Sequence, residues 1–253
     1  MPLPAPGRER VLPTGAMHLA FRLSGDPLVV FDAPDDPRGR RIGHAVVGGV
    51  RSACYIRDLS SAVCSAGAVL RPGTAELLFG APAEELSERH TPLEGLWGAA
   101  AGNARDRLGE AAGAARRLEV LEALLRERLP AVRGLHPAIA RALEQLELPV
   151  SVSTVAGQSG FSHRHFVVLF RRAVGLTPKM YGRVRRLGEA CRRIAEDPSG
   201  SLARVALDTG YSDQAHCTRD FVELTGLTPG AYRASRPRHP SHVRLAAPRR
   251  PGA

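Results

Sequence analysis

Residues 210–233 read GYSDQAHCTRDFVELTGLTPGAYR, and residues 155–181 read VAGQSGFSHRHFVVLFRRAVGLTPKMY. These are two versions of one text. Val155-Ala156 matches Val205-Ala206 and Gly160-Phe161-Ser162 matches Gly210-Tyr211-Ser212, each at an offset of 50. Beyond them the offset is 51: Phe170 matches Phe221, Gly175 matches Gly226, Thr177-Pro178 matches Thr228-Pro229, and Tyr181 matches Tyr232. One residue has therefore been inserted within the second copy.

Each copy describes a helix, a tight turn and a second helix. Ser151 and Ser201 are placed to cap the first helices, and Ala156 and Ala206 are small where two helices must cross. Gly160 and Gly210 can take the positive φ that ends a helix. Ser162 and Ser212 then stand as N-caps of the second helices. Thr177-Pro178 and Thr228-Pro229 are N-cap followed by N1 proline, a start signal for the next helix. This punctuation is that of a DNA-binding helix-turn-helix, written twice.

Charge points the same way. Residues 1–147 hold 18 Lys and Arg against 18 Asp and Glu, whereas residues 148–253 hold 17 against 7, the whole of the chain's net +10. A basic module joined to a neutral one suggests a polyanionic partner. No run of 18 apolar residues is present, and MPLPAPGRERVLP at the start has no apolar core of a signal peptide. The four cysteines (Cys54, Cys64, Cys191, Cys217) show no CxxC spacing and read as reduced thiols of a cytoplasmic protein. Residues 10–80 carry short apolar runs such as MHLAFRLSG, PLVVF and HAVVGGV, broken by turn signals, and predict strands of a small sheet or barrel. From 83 to 147 the pattern is helical, with Leu118, Leu121, Leu125 and Leu129 on one apolar stripe that either docks the sheet domain or pairs two chains.

The repeated segments resemble the C-terminal signature of AraC/XylS-type transcription regulators over about residues 134–236. VLPTGAMHLAF and GAVLRPGTAELLFGAPAEEL further resemble sensor-like domains found in that family, without naming a ligand. The resemblance implies an α+β chain. An N-terminal β-rich, then helical, effector or dimerisation domain (1–133) precedes an all-α domain of two helix-turn-helix units (134–236) and a disordered basic tail (237–253). A long helix, about Pro178–Glu196, would space the two units by roughly 30 Å, near the ~34 Å of one DNA turn. Two recognition helices would thus enter two successive major grooves.

Helical geometry sorts their side chains. In the first, Phe166, Leu169, Phe170 and Ala173 face the core, while Arg164, His165, Val167, Val168 and Arg171 face outward. In the second, Cys217, Phe221 and Leu224 face the core, while Gln214, Ala215, His216, Thr218 and Arg219 face outward. The resemblance places base contacts at these outward positions, which makes Arg164, His165, Val167, Val168, Gln214, Ala215, His216, Thr218 and Arg219 the base-reading candidates. Gln214 suits adenine and Arg219 guanine by bidentate pairing, whereas the valines reach only thymine methyls or are plain surface. Arg171, Arg172, Lys179, Arg183, Arg185, Arg186, Arg233 and Arg236 read as phosphate contacts.

Other chemistry is thin. His163, His165, His216 with Cys217, and the trio His18, His44 and His90 lack the spacing of a closed metal site. No nucleophile elbow or phosphate loop is present. Cys54 and Cys64 raise the alternative of a DNA-directed enzyme such as a repair alkyltransferase, but the N-terminal part has no four-cysteine zinc site. The expectation is a regulator rather than an enzyme, with no cofactor, no metal and no membrane. Its expected partners are double-stranded DNA, RNA polymerase, a small-molecule effector, and a second copy through the N-terminal helices. The operator and the direction of regulation are not written in the sequence.

Overall fold

A computed structural model describes residues 7–129, 134–146 and 150–245. Two antiparallel sheets form the N-terminal part. One runs β4 (Arg40–Gly43), β3 (Leu28–Phe31), β6 (Tyr55–Asp58), β1 (Arg8–Val11) and β9 (His242–Arg244); the other runs β7 (Ser65–Leu70), β2 (Met17–Arg22), β5 (Ala45–Gly48) and β8 (His90–Pro92). Period-two alternation places their faces. In β2, Met17, Leu19 and Phe21 are buried, and His18, Ala20 and Arg22 point the other way. The buried face packs on a helical layer made by α1 (Thr74–Phe79), α2 (Ala83–Leu86), α3 (Glu94–Trp97), α4 (Ala99–Glu110) and α5 (Gly113–Arg128). Trp97 anchors this layer, donating its indole N–H to the Leu78 carbonyl at 2.8 Å. The opposite faces of the two sheets enclose a cleft.

The C-terminal part is helical: α6 (Pro137–Gln145), α7 (Val152–Gly157), α8 (His163–Val174), α9 (Pro178–Glu196), α10 (Leu202–Asp208), α11 (Gln214–Thr225) and α12 (Pro229–Ser235). The α+β class and the long helix expected from the sequence are both present. Ser151, Ser201, Thr177 and Thr228 all accept cap hydrogen bonds from the third residue on, and Gly160 and Gly210 sit at φ 77° and 82°. Among the described residues no helix is long and apolar enough to cross a membrane.

Several expectations need correction. The tail from Pro237 is not disordered as far as residue 245: β9 pairs antiparallel with β1, placing Val243 opposite Arg10 and Val11 opposite His242. β1 would otherwise present an open edge, and Val243, 3% exposed, gives the tail an apolar anchor against Leu187, Phe221 and Tyr232. Residues 246–253 lie outside the described residues, as do 147–149 of the expected joint. The leucine stripe of α5 is displaced by part of a turn. Leu121 and Leu124 are buried, but Leu118 is 59% and Leu129 44% exposed. The inward face is set by packing on the sheet, which a count of leucines does not register. The end of GAVLRPGTAELLF is helix α1 rather than strand, and β8 interrupts the helical stretch.

One core runs across the expected boundary at 133/134. Phe166, Phe170 and Tyr181 of the first helix-turn-helix belong to the same buried cluster as Phe21, Val47 and Trp97 of the N-terminal part. Gly175 shows how tight this junction is. Its φ is +89°, and a Cβ there would lie 2.5 Å from Val50 Cγ1 and 2.9 Å from the Ala83 carbonyl.

Candidate nucleic-acid interface

The first recognition helix, α8, begins where Ser162 Oγ accepts the His165 N–H at 3.3 Å. Phe166 and Phe170 are fully buried, so the helix rolls to leave Arg164, His165, Val168 and Arg171 exposed. Val167 is half-buried against the core, on the margin of that outward face. The turn before α8 is fixed by Phe161, whose ring lies between His136 (5.3 Å) and His165 (5.0 Å).

The second recognition helix, α11, departs from expectation at its start. Its N-cap is Asp213, whose carboxylate accepts the His216 N–H at 2.6 Å. Ser162 therefore corresponds to Asp213, and Ser212 is the inserted residue. Asp wins the cap position because its charged oxygen bonds a helix N-terminal N–H more strongly than a hydroxyl does. That hydrogen bond holds the Asp213 carboxyl below its ordinary range. Ser212 instead sits 3.1 Å from His216 Nδ1, while Tyr211 meets the His216 ring edge-on at 5.2 Å. His216 is thus half-buried and braced. Gln214, Ala215 and Arg219 are exposed; Thr218 is half-buried and donates its hydroxyl to the Gln214 carbonyl. Cys217, Phe221 and Leu224 face the core as expected.

The phosphate candidates divide into groups. Lys179, Arg185 and Arg236 are exposed. Arg186 lies 5.3 Å from the Tyr211 ring, and Arg233 is half-buried. Arg171 and Arg172, at the end of α8, reach back to the N-terminal part: Arg172 bonds Glu76 at 2.8 Å and Arg171 approaches Glu84 at 3.8 Å. Arg183 is turned inward, held by Asp220 at 2.8 Å and Glu223 at 2.6 Å, with only 18% of its side chain exposed. The hydrogen bonds to Glu223 and Asp220 raise its pKa further. Asp220 and Glu223 are partners of Arg183 that the sequence did not reveal, because they lie 37 and 40 residues away along the chain.

The N-terminal part holds the carboxyl ends of both recognition helices. Gly73 donates its N–H to the Ala173 carbonyl in the last turn of α8 (3.0 Å). Cys54 does the same for Leu224 in the last turn of α11 (3.0 Å), and Arg10 Nη1 donates to the Thr225 carbonyl (2.9 Å). Carbonyls that a helix end leaves unpaired are thereby satisfied. The amino-terminal halves of both helices remain open.

Two family profiles match the chain: a helix-turn-helix domain over residues 155–235, and a domain of unknown function (DUF6597) over residues 1–92. The probable transcription factor PqrA of Proteus vulgaris is 36% identical over 84 residues, covering 33% of this chain and 68% of that protein. The HTH-type transcriptional regulator GlxA of Rhizobium meliloti is 34% identical over 102 residues, covering 39% of this chain and 31% of that protein. The match thus spans about two thirds of the one relative and about a third of the other. A transcriptional regulator from Chromobacterium violaceum, described as AraC-type, is a solved structure with 26% identity; it covers 40% of this chain and 94% of its own, at a TM-score of 0.36. With its doubled helix-turn-helix and a relative 36% identical over 68% of that protein's length, the chain belongs to the AraC/XylS family of DNA-binding transcription regulators.

Proposed function

We propose that the regulator reads DNA with α8 and α11 in two successive major grooves on one face of the duplex. The observation that carries this is the shared arrangement of the two helices: carboxyl ends anchored, amino-terminal halves exposed. α9 has 19 residues, about 28 Å of helix, between the two units. In this reading Gln214 and Arg219 form bidentate pairs with base edges in the second half-site, and Ala215, His216 and Thr218 lie beside them. Arg164 and His165 are the polar readers of the first half-site, with Val168, 55% exposed, and the margin residue Val167 touching thymine methyls. Lys179, Arg185, Arg186, Arg233 and Arg236 position the duplex through phosphates. Arg171 and Arg172 join them only by leaving their glutamate partners. The DNA-reading unit spans about 134–236, and residues 1–133 form the effector and dimerisation part, working with RNA polymerase as a further partner. The relatives are named as transcription regulators, which favours this reading over a DNA-directed enzyme.

The experiment is a binding-site selection with the full chain and with Arg219→Ala. A good bidentate pair contributes about 1–3 kcal/mol of discrimination. The variant should lose preference at one base pair of the second half-site. An unchanged selected motif with lower affinity would make Arg219 a phosphate contact and overturn the division of roles.

A further inference from the structure

The two recognition helices carry a histidine at the same place. Ser162 corresponds to Asp213, so His165, the third residue of α8, corresponds to His216, the third residue of α11. Each ring is seated on the aromatic of its own turn: His165 lies 5.0 Å from the Phe161 ring, and His216 lies 5.2 Å from that of Tyr211. Each backbone N–H donates to its helix cap, Ser162 Oγ at 3.3 Å and Asp213 Oδ1 at 2.6 Å. Both units therefore set an imidazole on the half of the helix that the N-terminal part leaves open.

Ser212, the residue inserted in the second copy, makes the two histidines unequal. The ionised carboxylate of Asp213 can only accept hydrogen bonds. Its Oδ1 takes the His216 backbone N–H, and its Oδ2 lies 3.3 Å from Ser212 Oγ. The Ser212 hydroxyl therefore donates to Asp213, since the reverse orientation would set the lone pairs of Oγ against a carboxylate. Its oxygen is left to accept, and His216 Nδ1, 3.1 Å away, is the atom placed to donate to it. A neutral imidazole carries one ring proton, so a protonated Nδ1 leaves Nε2 as a bare acceptor. Nε2 has no hydrogen-bond partner among the described residues. His165 has no counterpart of Ser212 beside it, and among the described residues neither of its ring nitrogens is hydrogen-bonded.

We propose that Ser212 is a positioning residue for specificity: it fixes the His216 ring with the proton on Nδ1, so that Nε2 accepts from the exocyclic amino group of adenine or cytosine in the second half-site. In the major groove adenine N6 and cytosine N4 are donors, whereas guanine O6 and thymine O4 are acceptors. His216 thus sorts amino from carbonyl bases, a partition different from the adenine and guanine pairings of Gln214 and Arg219. His165, with its proton on either nitrogen, faces an amino or a carbonyl group equally well at the matching place in the first half-site. The base assignment rests on the groove reading proposed above; the position of the proton does not.

The proton is located by the ring-nitrogen chemical shifts of the free full chain at about pH 8.5, well above the ordinary imidazole pKa of about 6.5, with His216→Ala identifying the resonances. The parent His216 should carry its proton on Nδ1. Ser212→Ala should move it toward Nε2, the form a free imidazole favours, and Ser212→Thr, which keeps the hydroxyl, should behave as the parent. Ser212 is exposed, so both variants should fold, which melting temperatures check. A proton on Nε2 in the parent, or no change in Ser212→Ala, would overturn the relay whatever the DNA shows. Binding-site selection with the parent and His216→Ala then finds the base pair that His216 reads. There the parent should separate adenine and cytosine from guanine and thymine on one strand, and Ser212→Ala should lose that separation. Replacing the amino-bearing base by its analogue without the exocyclic amino group should weaken the parent by about threefold or more, the worth of one neutral hydrogen bond, and leave Ser212→Ala unaffected. Weakening on removal of a purine N7 instead, an unchanged separation in folded Ser212→Ala, or no base pair altered by His216→Ala would each overturn the proposal. A chain that selects no two-part motif overturns the groove reading and the base assignment with it, while the resonances still decide the relay.

Discussion

The backbone N–H of Cys54 and the carbonyl of Leu224 meet at 3.0 Å, across 170 residues of chain. Arg10 adds a second hydrogen bond one residue further on, to Thr225. Together they hold the last turn of the second recognition helix in place. Arg10→Ala should lower stability by about 1.5–3 kcal/mol, the net worth of a hydrogen bond from a charged donor. It should also speed amide hydrogen exchange in the last turn of α11 more than in α8. Equal protection of both helices in parent and variant would show that the contact does not restrain α11.

Arg183 is expected to act within the fold. Asp220 has 8% of its side chain exposed, and removing its partner leaves a buried carboxylate unpaired. Arg183→Ala should therefore destabilise by roughly 2–3 kcal/mol. The salt dependence of DNA binding should keep its slope, whereas Arg185→Ala should flatten it by about one. A stable Arg183→Ala protein with a flattened slope would return Arg183 to the phosphate contacts.

Acid should destabilise the protein partly through His90. Burial, with Arg51 nearby, pushes its pKa down from 6.5 to about 3. The unfolded chain then binds the proton that the folded one refuses between those values. Stability is complete above about pH 6.5 and falls as pH drops toward 3, by up to about 1.4 kcal/mol per unit. His90→Phe keeps a ring beside Tyr55 and should flatten that part of the curve in denaturant titrations. An unchanged acid limb would show that His90 does not contribute to it.

In α5 the burial pattern separates two leucines three residues apart. Leu121→Ala should cost about 2–4 kcal/mol, the range for a buried leucine, and Leu118→Ala less than about 0.5 kcal/mol. Thermal melting checks both. If the exposed edge of Leu118 and Leu129 pairs two chains, Leu118→Glu should lower the sedimentation coefficient while leaving the melt of the subunit unchanged.

The doubled helix-turn-helix was legible because its signals are local. A serine or threonine cap, a glycine at positive φ and a proline at N1 each act within four residues. The inserted residue was visible as a change of offset, but not its position, since Ser212 and Asp213 are both acceptable caps until the turn geometry chooses. The partners of Arg183, and the grip of Gly73 and Cys54 on the helix ends, are set by tertiary contacts that leave no periodic trace. The tail was misread for a related reason. Its Pro, Arg and His composition resembles disordered chain, yet one buried valine and an unpaired edge strand suffice to order residues 242–244. In the N-terminal part, strands were visible from their apolar runs, while the cleft depends on alternate residues from several strands that only the sheet order brings together.

The pairing of β1 with β9 also has a consequence in time. Residues 242–244 emerge from the ribosome long after residues 8–11, once both helix-turn-helix units have been made, so the five-stranded sheet waits for them before its edge is closed. Until then β1 offers open backbone groups on that side. A product that stops short of the final strand would carry both helix-turn-helix units but an unfinished sheet. Completion of that sheet therefore requires synthesis to have passed both helix-turn-helix units, and products that stop before β9 are the ones exposed to edge-to-edge association and proteolysis.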